Sequence, residues 1–315
     1  MKLTLLDAET LGGDLNFDLL KEFGDIVVFQ NTLPHEVAEH IADSNVIIIN
    51  KIKINEQNLK NAHDLKLICV AATGYDNIDL AYCKAHGIAV CNVVGYSTHS
   101  VAQVTLAMAL SLYTHLPEYS AFVDCGQYSK SGVANRLIPV YHELFGKVWG
   151  VVGLGNIGKQ VARTAEAMGC RVIGFKRTPD EDYPCCGLDY LLQNADIISV
   201  HLPLSKDTRG LINEKRIASM KRNAIFINVS RGAIADEAAL TKAILDKKIG
   251  GLGIDVYSSE PFPESHPYTA LLDLPNICLT PHMAWGALEA RQRCLNEIVL
   301  NIKAFYSGEH RNRLV

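Results

Sequence analysis

The stretch VWGVVGLGNIGKQVARTAEAMG, Val148–Gly169, decides how the chain is read. An apolar run leads into Gly153, Gly155 and Gly158 in GxGxxG spacing, and a helical pattern follows with Val161, Ala165 and Met168 on one side. By itself the glycine spacing is a weak signal, compatible with any tight strand-to-helix turn. Between a strand and a helix it has a physical purpose. The backbone must turn sharply, let a pyrophosphate approach and pack the helix closely on the strand, while the helix N-terminus offers N–H groups and a favourable dipole. The stretch predicts a dinucleotide-binding unit on a parallel α/β sheet.

Working outward, strand-like runs recur on both sides. LTLLD, DIVVFQ, NVIIIN, LKLICVA and GIAVCN fill the first third; VWGVVG, RVIGF, DIISVHL, AIFINV, GLGIDVY and ICLTP fill the later part. Helical patterns such as LNFDLLKEF, PHEVAEHIAD, NEQNLKNA and DLAYCKAH separate them. Alternation of this kind implies crossover connections and parallel sheets. Two longer helices are predicted. SVAQVTLAMALSLYTHL has Ser97, Thr98 or Ser100 as a candidate cap, and LEARQRCLNEIVLNIKAFYSG places Leu295, Ile298, Val299, Ile302 and Phe305 on one face before Gly308. The chain thus reads as two α/β units, the second inserted between these two helices, which are expected to cross back and join the units. Pro117 to Phe145 reads as irregular.

Composition narrows the class. The 315 residues suit two domains, and 48% hydrophobic with 20% charged residues suits a globular core. A net charge of −4 without a basic run argues against nucleic acid. The N-terminus reads as a strand and no run has the length of a membrane span, so a soluble, cytoplasmic protein is expected. Nine cysteines, scattered and mostly in apolar runs, suggest reduced thiols; the adjacent pair Cys185-Cys186 reads as a loop pair without a role. The histidines lack metal-ligand spacing, and no metal is expected.

The segment VIGFKRTPD, Val172 to Asp180, raises a question of cofactor. After the second strand of a dinucleotide unit an NAD-preferring site presents an acid to the ribose hydroxyls; here stand Lys176 and Arg177. Two cations suit the 2′-phosphate of NADP, the arginine by forked charge-assisted hydrogen bonds. NADP(H) is favoured and NAD(H) is the alternative, with Asp180 and Asp182 as competitors for the cations.

Three segments place polar groups after strand candidates: Arg231 in AIFINVSRGAIADEAAL, Asp255 and Glu260 in GLGIDVYSSEPFP, and His282 in NICLTPHMAWGALEA. Ligands bind beyond the C-terminal strand ends of open parallel sheets. There an arginine binds a carboxylate and polarises a carbonyl, a histidine exchanges protons near neutral pH, and a carboxylate supports the charged imidazole.

Together with ATGYDNIDL, VVGLGNIGKQVA and ISVHLPLSKDTRGLI, these segments resemble the D-isomer-specific 2-hydroxyacid dehydrogenases over almost the whole chain. NVVGYSTHSVAQ, TPHMAWGALEARQR and Lys51 in IINKIKI look most like the glycerate dehydrogenase and hydroxypyruvate reductase branch, and Gln103 stands where other branches carry an acid. The resemblance implies two Rossmann-like or flavodoxin-like parallel-sheet domains, the dinucleotide-binding domain inserted into the substrate domain. The substrate domain is expected over 1–98 plus 283–315 and the NAD(P)-binding domain over 99–282, with a dimerisation arm near 117–145 and hence a homodimer.

Its implied catalytic set is Arg231, Glu260 and His282, with His282 as acid/base. Lys51, Thr73 and Gly74 join Arg231 and His282 at the substrate. The implied cofactor set is Gly153, Gly155, Asn156, Ile157, Gly158, Lys176, Arg177, His201, Pro203, Val229 and Asp255. Reduction of hydroxypyruvate or glyoxylate to the D-2-hydroxy acid is the expected reaction, with domain closure excluding water. The competing readings are an NAD-linked dehydrogenase of phosphoglycerate or D-lactate, and a dinucleotide-sensing corepressor. The first would explain Lys51 and Lys53 as extra cations, although no regulatory extension accompanies them. The second would need binding segments or tails that these residues do not suggest.

Overall fold

The computed structural model describes residues 1–178 and 180–315. The chain divides into Met1–Ser97 with Gly286–Val315, and the uninterrupted Thr98–Trp285. The cuts expected from the sequence stood at 98/99 and 282/283. Residues 283–285 stay with the second unit because Met283 and Ala284 donate backbone N–H groups to Asp255 and the Trp285 indole donates to the His282 carbonyl.

The first unit holds a parallel sheet of β1 (Lys2–Leu5), β2 (Asp25–Val28), β3 (Val46–Ile49), β4 (Leu67–Val70) and β5 (Ala89–Cys91), in the order β2-β1-β3-β4-β5. β3 and β4 are buried along their whole length. That is why they read as unbroken apolar runs rather than as alternation. The helix Leu288–Tyr306 packs against β4 with Cys294, Leu295, Ile298 and Ile302 buried. Beyond it the chain returns to the sheet edge, where Leu314 N–H donates to the Val90 carbonyl at 2.8 Å.

The short connecting helices are briefer than their patterns suggest. PHEVAEHIAD yields Val37–His40, NEQNLKNA yields Glu56–Leu59, and LNFDLLKEF forms a 3₁₀ helix over Phe17–Phe23. So few residues recover little of the cost of helix nucleation, and packing on the sheet sustains them.

The second unit holds β6 (Val148–Val152), β7 (Arg171–Phe175), β8 (Ile197–Val200), β9 (Ile225–Asn228), β10 (Gly251–Ile254) and β11 (Ile277–Leu279). All are parallel, in the order β11-β10-β9-β8-β6-β7. The strand order reverses at β6, which opens a crevice at its C-terminal end. The pair read as a roleless loop has a structural place: Cys185 bridges Gly174 in parallel, and the Cys186 N–H donates to the Gly174 carbonyl at 2.9 Å, extending the sheet beyond β7. The helix Thr98–Thr114 packs on β9, β10 and β11, with Met108 close over Gly253.

The helix after the glycine turn, Asn156–Ala167, buries Gly158, Val161, Ala162 and Ala165. Met168, expected on that face, lies past the last turn and is 36% exposed. The stretch read as irregular contains two helices, Leu116–Asp124 and Gln127–Ser131, neither with a buried residue. Without a buried stripe, no apolar periodicity marked them.

Candidate functional site

Gly153 sits at φ +106°, where a Cβ would come within 2.8 Å of the His201 carbonyl oxygen. A Cβ on Gly158 would lie 2.0 Å from the Gly153 carbonyl oxygen, so only glycine lets the helix start this close to the turn. Gly155, by contrast, faces open space: nothing among the described residues lies within 4 Å of its Cβ position. It caps the Asn156–Ala167 helix without a side-chain hydrogen bond. A concave glycine turn facing uncapped N–H groups fits a pyrophosphate.

Asn156 is exposed and Ile157 half-buried at the helix start; Pro203 is exposed after β8, and Val229 is buried after β9. His201, at the end of β8, has both ring nitrogens buried with no partner among the described residues, and burial pushes its pKa down to about 3. Orphaned polar atoms beside the crevice also fit a ligand with hydrogen-bonding groups.

Lys176 and Arg177 follow β7, and both are exposed. The carboxylate missing at that point arrives from further along the chain. Lys176 Nζ lies 2.9 Å from Asp180 Oδ2, and Lys159 Nζ lies 3.0 Å from the same oxygen and 2.9 Å from Asp182 Oδ2. The hydrogen bond from Lys176, helped by Lys159, holds the Asp180 carboxyl down at about 2. Lys159 was not among the expected site residues, although it directly follows Gly158.

Arg231 follows β9 on a turn folded by Asn228. The Asn228 carboxamide oxygen accepts from Ser230 N–H (3.1 Å) and Ser230 Oγ (2.9 Å), while its Nδ2 donates to the Arg231 carbonyl (2.9 Å). Gly232 brings this turn against the next segment, since a Cβ there would meet the Tyr257 carbonyl carbon at 2.1 Å. That next segment carries Glu260, whose Oε1 accepts the Tyr257 N–H at 2.9 Å.

Glu260 Oε2 lies 2.6 Å from His282 Nδ1. His282 itself occupies the left-handed region, φ +52°, which a non-glycine residue adopts only when its surroundings impose it. Asp255 supplies that constraint. Buried after β10, its carboxylate accepts from Thr280 Oγ1 at 2.6 Å, Met283 N–H at 2.8 Å and Ala284 N–H at 2.9 Å. Burial raises its pKa, and these hydrogen bonds oppose the rise. The carboxylate of Asp255, the residue expected at the nicotinamide, also anchors the His282 loop.

In the first unit, Thr73 and Gly74 form the turn after β4. Thr73 Oγ1 donates to the Val93 carbonyl at 2.8 Å, and Asn92 Nδ2 donates to the Thr73 carbonyl at 2.7 Å. Lys51 follows β3, its N–H donating to Asp7 Oδ2 at 2.6 Å beside the Asn50 N–H, 2.9 Å from Asp7 Oδ1. Asp7, Asn92 and Asn228 escaped the sequence reading. Each is a buried polar residue at a strand end, and that placement was the signal available.

The fold and the glycine turn define a dinucleotide-binding α/β protein. Residues 106–284 match the model of the D-isomer specific 2-hydroxyacid dehydrogenase NAD-binding domain. A glycerate dehydrogenase of Methylorubrum extorquens is 35% identical over 313 residues, covering 99% of this chain and 98% of its own. The crystal structure of the TT0316 protein from Thermus thermophilus superposes with a TM-score of 0.90 at 33% identity over 100% of both chains. The NADPH-dependent glyoxylate/hydroxypyruvate reductase of Sinorhizobium meliloti, crystallised with NADP and malonate, superposes with a TM-score of 0.83 at 27% identity over 97% of this chain and 93% of its own. The chain belongs to the D-isomer-specific 2-hydroxyacid dehydrogenase family. It is an NAD(P)-dependent oxidoreductase of small 2-oxo and 2-hydroxy acids.

Proposed function

We propose that this protein reduces hydroxypyruvate or glyoxylate to the D-2-hydroxy acid, with His282 as proton donor and NADP(H) as the preferred cofactor. The observation that carries the reading is the 2.6 Å contact between His282 Nδ1 and Glu260 Oε2 beyond the ends of β11 and β10. A carboxylate on Nδ1 fixes the orientation of the imidazole, so Nε2 is the nitrogen left to exchange a proton with the substrate oxygen. Arg231 binds the substrate carboxylate and stabilises the developing alkoxide. Bound at the glycine turn, the nicotinamide cofactor supplies the hydride. Lys51 and the Thr73–Gly74 backbone bind substrate; the bonds from Asp7 and Asn92 that hold these turns support that role.

Cofactor preference rests on Lys176 and Arg177. The Lys176–Asp180 ion pair supports a second reading, in which Asp180 neutralises the lysine and NADH serves equally well. The exposed apolar side chains of Leu137, Ile138, Val140 and Phe145 support an arm that pairs with a second copy, and nine unbridged thiols support a cytoplasmic setting. The test is steady-state reduction of hydroxypyruvate and of glyoxylate with NADPH and with NADH, compared as kcat/KM. Higher kcat/KM with NADPH supports the proposal. Turnover that ignores the 2′-phosphate supports the second reading, and no turnover of either acid overturns the substrate.

A further inference from the structure

A second, buried carboxylate–imidazole pair lies behind the first. Glu237, at the start of the helix Glu237–Leu245, turns its side chain inward, where it is only 9% exposed. Its Oε1 accepts the Ser258 N–H at 2.8 Å, and its Oε2 accepts from Ser258 Oγ and lies 3.0 Å from His266 Nε2. His266 Nδ1 accepts the Tyr268 N–H at 3.2 Å, so Nε2 is the nitrogen that donates to Glu237. These donors to the carboxylate all come from the segment 258–266, which carries Glu260.

The connection onward is short. Ser258 is joined by one peptide to Tyr257, whose N–H holds Glu260 Oε1 and whose hydroxyl donates to the Thr280 carbonyl at 2.9 Å, two residues before His282. The groups facing Glu237 are His266, Ser258, Tyr257 and Tyr268; the rings of Tyr257 and Tyr268 lie with centroids 6.1 and 5.0 Å from that of His266. A buried charge this well supplied with donors holds its surroundings in one geometry, because any displacement leaves it short of partners.

We propose that Glu237, with His266, is a positioning residue for the proton transfer: it fixes the 257–260 turn so that Glu260 meets His282 Nδ1. The proposal rests on the reading of Glu260 and His282 as the proton-transfer pair. Glu237→Ala is expected to lower kcat for hydroxypyruvate reduction about ten- to hundredfold, the scale on which removing one charged hydrogen-bond partner acts. It leaves the dinucleotide Kd nearly unchanged. Glu237→Gln retains one acceptor and is expected to recover part of kcat, and it serves as the fallback should the alanine variant fold poorly.

The deciding measurement is a double-mutant cycle with Glu260→Ala. If Glu237 acts through Glu260, the double variant is no slower than Glu260→Ala alone. Additive losses, or a Glu237→Ala kcat identical to wild type, overturn the proposal while leaving the catalytic pair intact. Wild-type turnover by Glu260→Ala itself sinks the underlying pair, and the positioning role falls with it.

Discussion

Glu260 holds His282 by its Nδ1 at 2.6 Å, and it does so while its other oxygen is tied to the Tyr257 N–H at 2.9 Å. A carboxylate fixed at both oxygens has little rotational freedom, so the imidazole it faces is held in one orientation.

This pairing makes the first prediction direct. His282→Ala should lose about two to four decades of kcat in the reductive direction. Glu260→Gln should lose about ten- to hundredfold, because the imidazole loses a charged hydrogen-bond partner. Steady-state kinetics with hydroxypyruvate would check both, and wild-type turnover by Glu260→Gln would exclude Glu260 as the residue that orients the imidazole.

Cofactor choice gives the second. Lys176→Ala and Arg177→Ala should each lower the ratio of kcat/KM for NADPH over NADH by about ten- to hundredfold, the worth of a charge-assisted contact to a phosphate. Asp180→Asn should raise the same ratio, since it releases Lys176 and Lys159 from their shared oxygen. A ratio indifferent to all three would make the cluster a surface ion network.

Gly158→Ala is the third. Its methyl would lie 2.0 Å from the Gly153 carbonyl oxygen, backbone that can yield only by opening the turn. A loss of about 1–3 kcal/mol in stability is expected from such overpacking, together with weaker NADPH binding by fluorescence titration. Gly155→Ala, which meets nothing within 4 Å among the described residues, should leave stability nearly unchanged and affect NADPH binding alone.

The sequence showed what burial imprints on it. β3 and β4 are apolar at every position because both faces are covered, and VIII and LICV admit few other readings. Arg231, Glu260 and His282 were legible through their place after strands and their order in a family. The rest depends on contacts between residues far apart in sequence. Glu237 reads as an ordinary first-turn acid, and nothing local says that Ser258 and His266 fold onto it. Asp180 was legible as a competitor for the cations; that Lys159, in the helix after the glycine turn, shares its oxygen with Lys176 was not. The helices Leu116–Asp124 and Gln127–Ser131 carry no buried stripe to betray them.

His201 supplies a pH prediction. Burial depresses its pKa to about 3 against a reference of 6.5, so the unfolded chain binds the proton more readily than the folded one. Its effect is absent above 6.5, and it costs stability progressively as pH falls from there toward about 3. His201→Gln should therefore be less acid-sensitive than wild type in that window and no different from it in slope above. Urea midpoints at pH values of about 7.5, 6 and 4.5 would reveal it; parallel curves would mean that the ring is hydrated in solution.

The arm yields a further prediction. Ile138 and Val140 are about 70% exposed in the single chain. Ile138→Ser with Val140→Ser should shift the protein toward monomer in sedimentation velocity without lowering the Tm of the monomeric unit. A wild-type chain that sediments as a monomer would remove the arm's proposed role.

The interrupted unit also bears on how the chain is made. β5 leaves the ribosome early, yet the segment that pairs with its edge, through Arg313 opposite Cys91 and Leu314 beside Val90, is translated more than 200 residues later. Thr98–Trp285 is contiguous and can fold during synthesis, while the sheet begun at Lys2 waits with an open flank for Leu288–Tyr306 to arrive. Nascent chains stalled before residue 288 should therefore show a protease-resistant second unit joined to a protease-sensitive first one, and this is the interval in which a chaperone has the most to shield.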